Sequence, residues 1–373
     1  MPETLALYIH WPFCLAKCPY CDFNSHVRET VDVPAWQAAL RDEMIHMASL
    51  TPGRRLTSLF FGGGTPSLMP ASLVGALIAE ADRLWGIPAD TEITLEANPS
   101  SAELRKFQEF RDAGVNRLSL GVQSLRPEAL RFLGRQHGVE EARQAIGWAQ
   151  RIFPRFTFDL IYGRPGQTEA EWRVEFTEAL AFDPRHLSLY QLTIEPGTRF
   201  SAQVARGDFV PLDPDPAAHL YARTQEWMEA AGLPAYETSN HAAPGHESRH
   251  NLSYWRYEDY AGIGPGAHGR LTIGGVRHAL RQHRAPDIWL ARVQKSGHAT
   301  QAQDRLDPAT EREERIMMGL RLREGLPLAP LGLAEDRLAP LHRDGLIALE
   351  QDRLVVTPHG RPLLDAILGH LLA

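Results

Sequence analysis

The sequence predicts an α/β protein with six parallel strands, arranged as an open sheet or an incomplete barrel. Short apolar, β-rich runs alternate with longer helical patterns through the first half of the chain. Such alternation is typical of parallel sheets whose strands are joined by right-handed crossovers through helices. Polar, Cys or Gly residues also follow each apolar run at its C-terminal end, which is where parallel α/β folds bind ligands.

The predicted strands share short runs of apolar or β-branched residues; they are Leu5–His10, Thr57–Phe61, Glu92–Ala97, Asn116–Gly121, Phe156–Ile161 and His186–Leu192. The predicted helices have apolar residues at helical spacing; they are Pro34–Leu50, Ala71–Trp85, Ala102–Ala113, Val139–Phe153 and Glu169–Ala181. The polar, Cys and Gly residues at or near the C-terminal ends of the six strands are the cysteine loop 14–21, Gly62–Thr65, Glu96, Gln123, Asp159 and Thr193. Because all six lie at the same edge, they predict one shared site.

After residue 200 the alternation loosens, and the chain divides into three predicted regions. Residues 1–200 form the α/β unit, residues 201–303 an extension, and residues 304–373 a compact C-terminal domain. Three prolines within Pro211–Pro216 predict a linker or the entry to a helix, since each proline restricts itself and its predecessor.

The C-terminal domain has the order of a winged-helix module. A helical pattern over Glu311–Arg323 precedes a predicted hairpin over 345–357 and a last helix over Pro362–Leu372. Such modules often bind DNA, but residues 304–373 carry nine Arg against twelve Asp and Glu. The whole chain has a net charge of −7. We therefore expect no nucleic-acid partner and assign the domain a packing role.

The N-terminus lacks the basic and apolar segments of a signal peptide, and no run of residues is apolar enough for a membrane span. We therefore expect a cytoplasmic protein, in which thiols stay reduced. Cys14, Cys18 and Cys21 fall within eight positions and cannot form a disulfide framework. In a reducing compartment such a group indicates metal binding.

Two metal centres suit the Cys14-x-x-x-Cys18-x-x-Cys21 spacing. Three thiolates in one loop can hold three corners of a 4Fe–4S cubane and leave the fourth iron without a protein ligand. The alternative is a zinc site of three Cys and one His, with His10 or His26 within reach. Zinc sites usually take their ligands as two separated pairs, and only one group exists here, so the spacing favours iron–sulfur.

The cysteine loop also resembles the signature of the radical S-adenosylmethionine (SAM) superfamily, in its coproporphyrinogen-dehydrogenase-like branch. The resemblance covers most of the chain and includes the segments Tyr8–Cys21, Phe60–Pro66, Glu96–Pro99, Gly121–Ser124 and Asp159–Gln167, and the C-terminal unit. It implies an incomplete six-stranded parallel (β/α) barrel, a 4Fe–4S cluster on the three cysteines, and SAM bound to the open iron. An electron donor is implied as well.

The residues after the strands have types that suit SAM. Glycine at 62–64 lets bare backbone approach a ligand, carboxylate and amide oxygens accept hydrogen bonds, and an Arg can pair with a carboxylate. Each also has an ordinary explanation: a tight turn, a helix-entry Glu, a capping Asp, a structural Gln or a solvated Arg. The residues on which the family's SAM contacts fall are Tyr8, Tyr20, Gly63, Gly64, Thr65, Glu96, Gln123, Arg135, Asp159 and Thr193. Thr193 departs from the small apolar residue that the dehydrogenase pattern has there.

Two classes of protein share this resemblance: the oxygen-independent coproporphyrinogen III dehydrogenases, which decarboxylate two propionates, and the HemW-type haem chaperones, which bind haem and deliver it to haem proteins. Three features favour the chaperones. Phe23 stands where the dehydrogenase pattern has a further Cys, only seven residues precede Tyr8, and His250-Asn-x-x-Tyr254-Trp255 matches the chaperone motif. A dehydrogenase is the alternative, and an unrelated radical enzyme comes third.

The resemblance implies that His250 binds haem iron and that Tyr254 and Trp255 pack on the porphyrin, since a neutral imidazole is a common axial ligand. A buried, hydrogen-bonded His beside a Tyr-Trp core pair is the ordinary explanation. His241 and His246 lie nearby, and we take both as loop residues. The implied partners are haem and recipient haem proteins; peripheral membrane contact and a homodimer are compatible with the sequence, which does not select either.

Overall fold

The computed structural model describes residues 3–100 and 105–373. Its main sheet is open and has the strand order β13-β12-β11-β10-β1-β4-β5-β6-β7-β8-β9. The bounds of these strands are β1 Thr4–Trp11, β4 Arg55–Gly63, β5 Glu92–Ala97, β6 Arg117–Gln123, β7 Arg155–Tyr162, β8 His186–Gln191, β9 Asn240–Ala242, β10 Tyr260–Ile263, β11 His268–Ile273, β12 Val276–Gln282 and β13 Thr300–Arg305. A separate pair, β2 Phe13–Cys14 and β3 His26–Val27, frames the cysteine loop.

The predicted α/β fold class is confirmed. All six predicted strands form and run parallel as β1 and β4 to β8. The sheet continues beyond the prediction, because β10 adds a seventh parallel strand beside β1. Beyond β10, strands β11 to β13 run antiparallel, and β9 is antiparallel at the other edge.

The helices that join the strands cover the sheet with their apolar faces. Those up to residue 230 are α1 Val33–Leu50, α2 Ala71–Trp85, α3 Phe107–Asp112, α4 Pro127–Phe132, α5 Val139–Ile152, α6 Glu169–Leu180, α7 Arg199–Ala205 and α8 Pro214–Ala230. The first residues of the helix predicted over 102–113 lie outside the described residues, and within the remainder α3 covers Phe107–Asp112. The proline-rich segment proves to be the entry to α8, with Pro214 in the first turn.

Sequence signals at the helix ends match the observed bounds. The Asp32 side chain accepts a hydrogen bond from the Ala35 amide at the start of α1. Thr168 and Glu171 form a capping box at the start of α6. Gly86, with φ +73°, ends α2. These local contacts fix where each helix begins or ends, and so explain why its bounds were readable from the sequence.

The two larger hydrophobic cores of the described residues divide the chain differently from the predicted regions. The first contains buried residues from Leu5 to Ala299, so the segment predicted as an extension shares the core of the α/β unit. The second lies within residues 316–371. The remaining elements are α9 Arg249–Trp255, α10 Pro286–Ser296, α11 Pro308–Gly319, β14 Leu326–Pro327, α12 Glu335–Arg343, β15 Ile347–Glu350, β16 Arg353–Val356 and α13 Leu364–Leu372. The boundaries at 200 and 303 stay predictions.

Buried carboxylates anchor the antiparallel edge of the sheet to the parallel part. Asp259, just before β10, accepts hydrogen bonds from Arg54 at 2.6 Å, Arg277 at 2.8 Å and the Thr272 amide at 2.5 Å. Glu43 on α1 accepts hydrogen bonds from the amides of Gly264 and Ala299 and from the Trp289 indole. In the part of the chain that the structure describes, no helix combines the length and hydropathy needed to span a bilayer.

Candidate functional site

The three cysteines lie beside one cavity at the C-terminal edge of the parallel strands. Two of the sulfurs accept a hydrogen bond. Thr65 Oγ1 donates to Cys14 Sγ at 3.4 Å, and Arg135 Nη1 donates to Cys18 Sγ at 3.3 Å. The Ser25 hydroxyl lies 3.7 Å from Cys21 Sγ. Such donors stabilise thiolates, which are the form that binds iron. The residues present therefore fit a three-thiolate iron–sulfur cluster.

Arg135 connects the cysteine loop to the ends of β5 and β6. Its Nη2 donates to Asn98 Oδ1 at 2.5 Å and to a backbone carbonyl of β6 at 2.7 Å. Asn98 Nδ2 donates in turn to Thr65 Oγ1 at 3.3 Å. Because Arg135 and Thr65 also bond Cys18 and Cys14, one hydrogen-bonded chain joins two cysteines through three strand ends. Hydrogen bonds of this kind orient the side chains that ligate a metal.

Gly63 and Gly64, at the end of β4, lie where a side chain would collide with residues that precede the cysteine loop. A Cβ at Gly63 would lie 2.7 Å from the His10 ring, and Gly63 has φ +115°, which disfavours other residues. A Cβ at Gly64 would lie 2.8 Å from the Phe13 carbonyl oxygen. These two glycines therefore allow β4 to end directly against the cavity.

Two carboxyl groups face the cavity without full compensation. Burial raises the pKa of Glu96 to about 8, the negative charge of Asp159 adds to that shift, and the Gly63 amide opposes it at 3.2 Å from Oε2. Burial likewise raises the pKa of Asp159 to about 6, although a hydrogen bond with Ser188 lowers it. Both side chains are partly exposed, and both line the cavity. Uncompensated carboxyl groups at a cavity suit a cationic ligand.

The structure brings most of the predicted SAM residues together. Eight line the cavity with the cysteines: Tyr20, Gly63, Gly64, Thr65, Glu96, Gln123, Arg135 and Asp159. Gln123 ends β6 with φ +69°, a conformation rare outside glycine. Tyr8 lines a neighbouring cavity, and Thr193 is exposed beyond β8 and lines neither.

A second cavity of about 780 Å³ adjoins the first, and the two share Phe23, Gly63 and Glu96. Its volume lies in the range of roughly 300–1,000 Å³ that is usual for pockets that bind organic ligands. Its walls come from β1, the end of the cysteine loop, the edge strands β10 to β13, and the helices that carry Tyr254 and Met318. Its lining side chains include Tyr8, Tyr254, Tyr260, His268, Arg281 and Arg284.

The chaperone-type motif divides between this cavity and the core. Tyr254 lines the cavity, whereas His250 and Trp255 do not. His250 is 1% exposed; its Nδ1 is hydrogen-bonded with Ser58 Oγ at 2.9 Å and its Nε2 with Tyr254 Oη at 2.7 Å. Burial lowers the pKa of His250 to about 3. Both ring nitrogens therefore have partners within the protein, and the ligand role of His250 stays a prediction.

Sequence reasoning missed several polar residues of the site. Asn98 could have been predicted, because it lies in the Glu96–Pro99 motif; in the structure it accepts a hydrogen bond from Arg135. His10, which supports the Gly63 turn and hydrogen-bonds with Tyr8 Oη at 2.9 Å, was weighed only as a zinc ligand. His268, Arg281 and Arg284 had no motif, and only the pairing of the edge strands brings them to the cavity.

Comparison with known families supports this geometry. Residues 8–176 match the radical SAM superfamily, and residues 306–363 match the HemN C-terminal domain. The heme chaperone HemW of Escherichia coli K12 is 37% identical over 99% of this chain and 98% of that protein. The bovine mitochondrial radical S-adenosyl methionine domain-containing protein 1 is 39% identical over 100% of this chain and 88% of that protein.

A solved structure matches the whole architecture. The coproporphyrinogen III oxidase HemN of Escherichia coli, a radical SAM enzyme, superposes with a TM-score of 0.82 at 26% identity, over 99% of this chain and 90% of that one. The parallel strands, the cysteine loop and the C-terminal unit are thus shared by proteins of both functional classes, so the fold alone does not separate chaperone from dehydrogenase.

Proposed function

Since the chain belongs to the HemW family of the radical SAM superfamily, we propose that it is a haem chaperone, which binds haem and delivers it to haem proteins. The observation that carries this proposal is the pair of adjoining cavities. One is lined by three thiols and two carboxyl groups, and the other is a larger, aromatic-walled space that suits a porphyrin.

Position 23 supports a chaperone over a dehydrogenase. Phe23 occupies the junction of the two cavities, where the dehydrogenase pattern has a further Cys, and its side chain is 61% exposed. An exposed aromatic ring at this point offers a flat apolar surface and no thiol. Coproporphyrinogen decarboxylation is the second candidate, which the likeness to HemN favours.

The chain's own residues perform two tasks in the smaller cavity. Cys14, Cys18 and Cys21 would hold a 4Fe–4S cluster, and Arg135 and Thr65 would stabilise the thiolates through the hydrogen bonds described above. When bound, such a cluster can pass one electron to SAM and cleave its sulfonium C–S bond.

Glu96 and Asp159 would receive the cationic and hydroxyl groups of SAM. Glu96 lies near the end of β5 and accepts a hydrogen bond from Gly63, whereas Asp159 lies within β7; burial raises the pKa of each carboxyl group. A cationic ligand favours their ionised forms and relieves the repulsion between them. We assign the same SAM-binding role to the other predicted residues that line this cavity.

The chaperone role implies two kinds of partner, and the free cysteines bear on the location. An electron donor is required to reduce the cluster, and haem proteins receive the cargo. We propose a cytoplasmic location, consistent with three free cysteines.

One experiment separates the two candidate functions. The cluster is reconstituted anaerobically, and the protein is offered haem and coproporphyrinogen III in separate assays, with SAM and a reductant. We expect haem binding and transfer to a haem-free globin, and no formation of protoporphyrinogen. Conversion of coproporphyrinogen would establish the dehydrogenase instead, and a failure to bind haem at all would remove the chaperone proposal.

A further inference from the structure

A third cavity lies at the edge of the sheet opposite the cysteine loop, where β6, β7 and β8 begin. The first residues of these strands, Arg117, Arg155 and His186, line it together with the loop before β8. Its volume is about 210 Å³. This is below the roughly 300–1,000 Å³ that is usual for pockets that bind organic ligands, so the third cavity suits a small ligand.

Arg117 is a buried cation of this cavity whose side chain has no hydrogen-bond partner among the described residues. It is 3% exposed. Its ion pair in that part of the chain joins Nε to Oε2 of Glu92 at 3.8 Å, which is longer than a hydrogen bond. A buried guanidinium without acceptors has lost its hydration and gained little in return, and a bound anion would supply the missing acceptors.

Glu92 is shared between Arg117 and a second arginine. Its Oε2 lies 3.0 Å from Arg155 Nη1, while its Oε1 accepts a hydrogen bond from the His250 amide at 3.2 Å. Arg117 and Arg155 are direct partners in the register of β6 and β7, so their like charges lie side by side. Burial lowers the pKa of Arg155; Glu92 opposes that shift, and Arg117 adds to it. One carboxylate therefore serves two neighbouring guanidinium groups.

The rim of the third cavity adds a further cation. Arg185 is exposed and forms no ion pair in the part of the chain that the structure describes, and the same holds for Asp183, which also lines the cavity. His246 is half-buried at the rim; burial lowers its pKa, Arg155 and Arg185 lower it further, and Glu247 opposes them. Among the lining residues three arginines thus face one carboxylate, and such a surface attracts anions.

We infer that the third cavity binds a small oxyanion of the phosphate type, held by Arg117, Arg155 and Arg185. A guanidinium group presents planar donors that match two oxygens of such an anion at once. Arg117 gains the acceptors that it lacks, and Arg185 gains an anionic partner. The imidazole of His246 can donate one further hydrogen bond. Because this site lies at the opposite edge from the cysteine loop, it is independent of the cluster and of the proposed function.

The site is tested by titration with inorganic phosphate. Calorimetry of the cluster-loaded full chain, at constant ionic strength in chloride, compares wild type with Arg185→Gln and the control Arg292→Gln. Arg292 is exposed on α10, forms no ion pair within the described residues and does not line the cavity. We expect about tenfold weaker phosphate binding in Arg185→Gln alone, as loss of one ionic contact predicts. Equal affinities in all three proteins, or no binding to wild type at millimolar phosphate, would overturn the site.

Asp183→Asn provides a change of the opposite sign. Asp183 has φ +48°, a conformation that Asn also tolerates, so the loop before β8 should keep its shape. Removal of the carboxylate that lines the cavity should strengthen phosphate binding several-fold, because its repulsion of the anion is lost. Weaker phosphate binding in Asp183→Asn would contradict the proposal, since it would show that this carboxylate helps to hold the ligand.

A last comparison identifies the source of the anion. Inorganic phosphate and glycerol 3-phosphate, a phosphate monoester, are titrated into wild type and Arg185→Gln. Tighter binding of inorganic phosphate indicates a free ion, and tighter binding of the ester indicates the phosphoryl group of a larger molecule. In both cases Arg185→Gln should weaken binding of the preferred ligand, and an unchanged affinity would refute the contact. Unaltered iron and sulfide content in each variant shows that the fold is intact.

Discussion

The two adjoining cavities differ in how their polar side chains are paired. Around the cysteines, Arg135, Asn98 and Thr65 bond one another and two of the sulfurs, so the polar groups beside Cys14 and Cys18 have partners within the protein. Around the larger cavity, Arg281 and His268 lack such partners in the described residues. Cysteines held by hydrogen-bonded neighbours suit a cofactor that stays, whereas unpaired groups suit a ligand that enters and leaves.

The largest expected effect is the loss of the iron–sulfur cluster from the smaller cavity, with the larger cavity unchanged. Cys18→Ala removes one of three thiolates, so iron and sulfide content after reconstitution should fall to background. Arg135→Met, which removes the donor to Cys18, should weaken cluster binding by roughly tenfold or more. Arg131→Met serves as control, because Arg131 is exposed and lines neither cavity. Haem titration of Cys18→Ala should still give wild-type affinity; a parallel loss would show that the cavities act as one.

The next effect breaks the support of the larger cavity. Asp259→Asn leaves Arg54 and Arg277, whose side chains are 2% and 7% exposed, without their carboxylate. Loss of one partner of a buried ion pair costs about 3–5 kcal/mol of unfolding free energy. Urea unfolding measures this change, with the exposed Asp304→Asn on β13 as control. Equal stability of the two variants would show that Asp259 does not anchor the edge strands.

A pH-dependent effect tests Glu43, the second buried carboxyl group that anchors the edge strands. Burial raises the pKa of Glu43 from 4.5 to about 7, so the folded protein holds this proton more tightly than the unfolded chain. Stability from this group is therefore complete below about pH 4.5 and falls by about 3 kcal/mol as the pH rises to 7. Glu43→Gln cannot titrate. Between pH 5 and pH 8 wild type should lose stability relative to Glu43→Gln in urea unfolding; parallel curves would contradict the raised pKa.

The smallest expected effect lies at the junction of the cavities. Phe23 is 61% exposed, so Phe23→Ala should change the unfolding free energy by less than about 0.5 kcal/mol. If its ring covers the porphyrin, haem affinity should still fall several-fold, because an aromatic contact contributes roughly 0.5–1.5 kcal/mol. Leu15→Ala is the control, since it is similarly exposed but lines neither cavity. Equal haem affinity in both variants would place the haem elsewhere.

Much of the fold was predictable because its signals are local. The strand Glu92–Ala97 and the helix Ala71–Trp85 have the predicted bounds, since apolar runs and a terminal glycine mark them. Edge strands β10 to β13 were missed, because β10 is only four residues long and β11 to β13 contain many polar and charged residues. Their pairing depends on buried anchors such as Asp259 and Glu43, which lie far away in sequence.

The site likewise combines features that the sequence shows locally with features that depend on contacts between distant segments. By itself the sequence determined the cysteine loop, the glycine turn and the carboxyl groups at strand ends, because residues at one edge of a parallel sheet meet wherever the sheet forms. Only the tertiary structure decided the place of His250 and the exposure of His268. A motif identifies which residues act together, but whether an imidazole faces a cavity or is sealed between Ser58 and Tyr254 depends on packing between segments distant in the chain.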